Sequence, residues 1–158
     1  MGFFDVFKNI TKRDVSSGAP RKLTTEDFRI AGVYHYHGNI KKLACCNPEW
    51  KDKNATIVNN GNSGKKIYRY NYINKPVKLL EEPTNPHDKN AIRVVIAGEL
   101  VGYIPRENCL HVKEILGMHE IKYISSFIYG GQYKVIYDAK NAVKQDSEIA
   151  INIRIAYI

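Results

Sequence analysis

Cysteine is scarce in this chain: there are three in 158 residues, two of them adjacent (Cys45, Cys46) and the third at Cys109. An odd count with a neighbouring pair supplies no disulfide framework and fits a reducing compartment. No apolar run approaches the ~20 residues of a membrane-spanning helix. The stretch Met1 to Lys8 has no basic segment ahead of its apolar residues, so it does not read as a secretory signal. The expectation is a cytoplasmic protein without a membrane partner, in which the sequons at Asn9 and Asn54 carry no chemistry. Catalytic signatures are missing as well: there is no P-loop, no GxSxG and no HExxH. His35-x-His37 with Cys45-Cys46 lacks the spaced cysteine pairs of structural zinc. Neither metal nor cofactor is expected. A metal-dependent nuclease or phosphatase needs clustered carboxylates, and Asp88 has only Glu81 and Glu82 near it in sequence.

What is plentiful is positive charge, unevenly placed. Lys and Arg exceed Asp and Glu by 24 to 16 over the chain. Residues 1–80 hold 15 of the bases and 6 of the acids, whereas residues 81–158 hold 9 and 10. Such a distribution suits either an ordinary solvated surface or a basic face that follows a phosphate backbone. The 11 tyrosines favour nucleic acid, because single strands are held by cations together with stacking surfaces.

At this length the chain makes one domain with a real core. Residues 1–23 read as a tail and linker, with Phe3, Phe4, Phe7 and Ile10 on one side of a short helix and Ser16-Ser17-Gly18-Ala19-Pro20 after it. Residues 24–158 form the body. Shared parity of Phe28, Ile30, Gly32, Tyr34 and Tyr36 predicts a first strand over 27–36. Asn39 to Ala44 reads as one helical turn, and the polar stretch 48–66 as a mobile insertion. Tyr68, Tyr70 and Tyr72 alternate on a strand over 67–73, either as half-buried sheet residues or as a stacking platform. Further strands follow at 77–81, 91–97, 100–104, 120–129, 132–138 and 148–157. A helix over 106–117 carries Cys109, Val112, Ile115 and Leu116 on one stripe and stops near Gly117. Many short strands with one or two helices predict a mainly β fold, a closed or partly open barrel.

The densest signal is Glu82-Pro83-Thr84-Asn85-Pro86-His87-Asp88-Lys89-Asn90-Ala91-Ile92-Arg93-Val94. It sets Asn, Pro and Asp, which pre-form turns through their own side-chain bonds, against the start of a β-branched strand. This stretch, with Val101-Gly102-Tyr103-Ile104-Pro105-Arg106 after it and Phe28-Arg29-Ile30-Ala31-Gly32-Val33 before it, resembles the HIRAN domain over about residues 27–135. That family comprises small β-rich modules attached to Swi/Snf-type helicases or standing alone in bacteria. The resemblance implies an OB- or SH3-like barrel that binds single-stranded DNA at its free 3′-hydroxyl end.

Carried onto this chain, the resemblance places Asn85 and Asp88 in a 3′-end pocket. A carboxylate there accepts a hydrogen bond from a terminal hydroxyl and repels a terminal phosphate. On the residues alone, Asp88 reads first as a turn cap. His87, Tyr103 and Tyr133 are the candidate stacking residues, against the ordinary reading of a turn histidine and strand tyrosines. Arg29 and Arg106 are the candidate phosphate ligands. The chain departs from helicase-attached relatives at the first strand, where two tyrosines are replaced by Arg29 and Ile30. Ile30 offers no π-face, so the pocket is altered. The expectation is a non-catalytic module for single-stranded DNA or frayed 3′ ends, acting in repair or fork processing beside a helicase or repair protein. The alternative is a protein–protein adaptor using the same fold without end-specific DNA binding.

Overall fold

The computed structural model describes residues 18–73 and 75–158. The amphipathic helix expected over residues 1–10, and the linker as far as residue 17, lie outside them. Among the described residues, nine strands appear in chain order: β1 Thr24–Arg29, β2 Cys45–Cys46, β3 Lys66–Tyr68, β4 Tyr70–Tyr72, β5 Val77–Glu81, β6 Ile92–Ile96, β7 Glu99–Tyr103, β8 Ile121–Ile136 and β9 Ala142–Tyr157. Three α-helices accompany them: α1 His37–Leu43, α2 Asn54–Asn59 and α3 Cys109–Met118. Short 3₁₀ turns lead into α1 (Val33–Tyr36) and α3 (Arg106–Asn108) and precede α2 (Pro48–Lys51). No helix among the described residues is long and apolar enough to cross a membrane.

The strands form two antiparallel sheets, one in the order β1-β9-β8-β4-β2 with β3 also on β8, the other β5-β6-β7. The ladder does not close into the expected barrel. The sheets meet instead at one bridge, where Ala31 and Tyr103 exchange backbone hydrogen bonds of 2.8 and 2.9 Å. The mainly β character holds. Fully buried Ile92, Val94 and Ile96 of one sheet and Ile151, Ile153 and Ile155 of the other share a core with Val112 and Ile115 of α3. Burying each such side chain stabilises the fold by about 1.5–3 kcal/mol. The stripe on α3 and the isoleucine alternation of β9 therefore face inward as their periodicity predicts.

Three further expectations are corrected. The first strand stops at Arg29, because Gly32 adopts φ 74° and turns the chain into a helix. Val33 and Ile40 are then buried at helical spacing, while Tyr34 is 73% exposed and takes no place on a strand face. The stretch 48–66 is ordered rather than loose. Asn47 accepts a hydrogen bond from the Glu49 amide, and Ile57 is buried with Ile67 and Ile136 in a second small core. Lys134 Nζ donates to the Trp50 carbonyl at 2.8 Å, which ties this stretch to β8. The strands expected at 120–129 and 132–138 are one strand with a bulge between Gly130 and Gln132. Gly130 is required there: a Cβ would lie 2.0 Å from the Glu148 carbonyl oxygen.

Candidate nucleic-acid interface

The loop between β5 and β6 is held by its own side chains. Its neck is closed by Glu82 N donating to Ala91 O at 2.8 Å and Ala91 N to Asp88 O at 3.0 Å. Asn85 Oδ1 accepts from the His87 and Asp88 amides at 2.9 and 3.1 Å, an Asx turn. Asn85 Nδ2 donates to Glu82 Oε2 at 2.7 Å. Asp88 Oδ1 accepts from the Asn90 amide at 2.9 Å, so the capping role is real. It uses one oxygen only. Asp88 Oδ2 accepts no hydrogen bond among the described residues and stands 3.9 Å from Arg106 Nε.

These residues wall an open cavity of about 530 Å³ that includes Pro83, Asn85, Pro86, His87, Asp88 and Arg106. His87 is exposed at its rim. Arg106, at the turn into α3, also lines a neighbouring hollow of about 430 Å³ together with Arg29 and Pro105. The structure thus gathers Asn85, His87, Asp88 and Arg106 around one cavity and sets Arg29 beside it.

Two candidates stand elsewhere. Tyr103 lies behind the loop, near Tyr36 and Glu82. Burial first, and then these two neighbours, push its phenol above the usual value. It backs the loop through Glu82, the partner of Asn85, rather than lining the cavity. Tyr133 lies on β8 beyond the bulge, its ring 5.5 Å from Tyr68 and 4.7 Å from Lys66 Nζ, with its hydroxyl on Gln145. It lines neither cavity near Asp88. The tyrosine alternation at 68–72 is not one platform. The chain kinks at Arg69, whose guanidinium donates to Gln132 Oε1 at 2.9 Å; Tyr68 meets Tyr133 while Tyr70 packs on the main core.

A further polar cavity of about 310 Å³ holds His37, Lys41, Arg69 and Asp146. Among the described residues, no three His, Cys, Asp or Glu side chains gather as a metal site. Sequence reading passed over Glu82, although its placement three residues before Asn85 is the spacing of a turn partner. It also passed over Tyr129, an exposed tyrosine on the outer face of β8.

A family model for the HIRAN domain matches residues 27–153, nearly the whole chain. No curated protein and no solved structure matches it. HIRAN domains are a DNA-binding family. With the NPxDxNA loop walled as described and the Val101-Gly102-Tyr103 strand bridged to Ala31, the chain belongs to the HIRAN domain family.

Proposed function

We propose that this protein is a non-catalytic module that binds single-stranded DNA at a free 3′-hydroxyl, with a role in DNA repair or fork processing. One observation carries the reading: the loop commits Asp88 Oδ1 to its own backbone and leaves Oδ2 at the cavity without a hydrogen bond among the described residues, 3.9 Å from Arg106 Nε. A terminal hydroxyl donating to Oδ2 makes a charge-assisted hydrogen bond worth about 1.5–3 kcal/mol. A terminal phosphate meets the same oxygen as a like charge and is rejected. Arg106 and Arg29, neighbours across the adjoining hollow, neutralise the first phosphates of the strand. His87, at the rim, is placed to lie against the terminal nucleotide.

The test is fluorescence-anisotropy titration of short single strands ending in 3′-hydroxyl or 3′-phosphate, with wild type and Asp88→Asn. The expected preference for the hydroxyl is about tenfold or more, and it disappears in Asp88→Asn. Equal, salt-sensitive binding of both ends would reduce the reading to a generic basic surface. Absence of binding to either would favour the adaptor.

A further inference from the structure

Gly131, the second glycine of the β8 bulge, lines the polar cavity of about 310 Å³ shared with α1, the Arg69–Tyr70 kink and β9. Its φ is 84°, and a Cβ there would lie 3.0 Å from Ile149 Cγ1, so this wall favours a residue without a side chain. Ser147 Oγ donates to the Gly131 carbonyl at 2.9 Å and pins the bulge to β9. None of the lining residues belongs to the stretches 28–33, 82–94 or 101–106 that carry the end-binding reading. His37, Lys41, Arg69 and Tyr70 come from the segment between the first two of them.

Charge is handled differently here from the rest of the surface. Elsewhere opposite charges pair: Asp27 with Arg154, Glu81 with Lys113, and Glu99 with Lys42. Lys41, Arg69 and Asp146 share one cavity, yet none of them forms an ion pair among the described residues. Arg69 is positioned by a neutral group instead. Its guanidinium donates to Gln132 Oε1 at 2.9 Å, and its amide to the Gln132 carbonyl at 2.9 Å. A guanidinium held by an amide keeps its charge and its remaining donors. Asp146 stands opposite the same Gln132 in the β8–β9 ladder. His37 Nε2 is buried without a hydrogen-bond partner among the described residues, so this wall carries unmet polar capacity.

These groups select a class of ligand. A bare anion is drawn by Lys41 and Arg69 but opposed by Asp146, and a metal cation meets the reverse. A molecule bearing both a phosphate and a hydroxyl satisfies all three: the cations take the phosphate, and the carboxylate accepts from the hydroxyl. The volume lies at the lower end of the range for small-molecule sites, about 300–1,000 Å³, which suits a single phosphorylated sugar.

We propose that this cavity is a separate site for a sugar phosphate, free or as a mononucleotide. Lys41 and Arg69 hold the phosphate, and Asp146 accepts a hydrogen bond from a sugar hydroxyl. The proposal is independent of the 3′-end reading, because the two sites share no residue.

The test is an NMR titration of the whole chain with ribose 5-phosphate, adenosine 5′-monophosphate, inorganic phosphate and ribose, read at the amides of Gly131, Gln132 and Ser147. Both esters shift these amides, inorganic phosphate does so more weakly, and ribose does not. Lys41→Ala weakens ester binding roughly tenfold or more and leaves the melting temperature and the 3′-hydroxyl preference unchanged. Asp146→Ala abolishes the advantage of the esters over inorganic phosphate. A shift with ribose 5-phosphate alone identifies a free sugar phosphate, and one with the nucleotide alone a mononucleotide. Amides that stay still with both esters, or shifts that survive Lys41→Ala undiminished, would overturn the site. So would shifts produced by a single-stranded octamer and by neither ester, which would make the cavity part of a DNA track.

Discussion

The Asp88 carboxylate and the Arg106 guanidinium face each other 3.9 Å apart, one held and the other free. The Asp88 side chain is 18% exposed and its Oδ1 is fixed by the Asn90 amide, whereas the Arg106 side chain is 80% exposed. Such an exposed pair contributes little to folding. Its value lies in leaving a positioned acceptor beside a cation that is free to turn toward a phosphate.

Arg106→Ala should accordingly weaken DNA binding evenly across sequences and lower the salt slope of the affinity by about one. Its melting temperature should stay near wild type. Anisotropy titrations at three or more salt concentrations measure the slope. An unchanged slope would remove Arg106 from the phosphate ligands.

Asn85→Ala should cost about 1–3 kcal/mol of stability, because the amides of His87 and Asp88 lose their shared acceptor and Glu82 loses a donor. Discrimination between terminal hydroxyl and phosphate should vanish with the loop's shape. Urea unfolding gives the first quantity and the end-group titration the second. A variant with native stability and native discrimination would show that the loop is held by other means.

Gly102→Ala should destabilise by about 1–3 kcal/mol or more, as overpacking does. A Cβ at this position would lie 2.5 Å from the Ala31 carbonyl oxygen and 2.4 Å from Ile30 Cγ2. Relief requires parting the Ala31–Tyr103 bridge, the junction of the two sheets. Loss of amide protection at Ala31 and Tyr103 in hydrogen exchange would accompany the change. Wild-type stability in this variant would mean that the junction yields without cost.

Acid should loosen β1 selectively. The Tyr157 hydroxyl, and after it His111 at 2.7 Å, hold the Glu26 carboxyl below the usual glutamate value. A lowered folded-state value means that this stabilisation is complete above the unfolded glutamate value and is lost as the pH falls through the folded one. Glu26→Gln should therefore be less stable than wild type near neutrality, and the two should converge in acid. Melting curves from neutral pH downward test this; parallel curves would exclude Glu26 as the source.

Much of the site was legible because its bonds are local. Asn85 reaches amides two and three residues ahead, and Asp88 one two residues ahead, so turn chemistry alone outlines the loop. Strands β5, β6 and β7 and the stripe on α3 follow from periodicities that need no distant partner. The few apolar residues of the polar stretch 48–66 gave no such pattern; Ile57 is held from afar by Ile67 and Ile136, and the turn before its helix by Lys134.

Composition and order of residues determined that this chain folds mainly as β structure, carries a pre-formed Asn85–Asp88 turn and belongs with the HIRAN domain. Tertiary structure alone decided what that turn meets. Strand register placed Tyr129 next to Ala150 and Arg29 next to Asn152, while the bulge and β3 carried Tyr133 away to Tyr68. Gly32 released the chain from β1 so that Ala31 could join the two sheets. The reason is one of range: a turn closes through bonds a few residues long, whereas a binding face is assembled by pairings that no local pattern encodes.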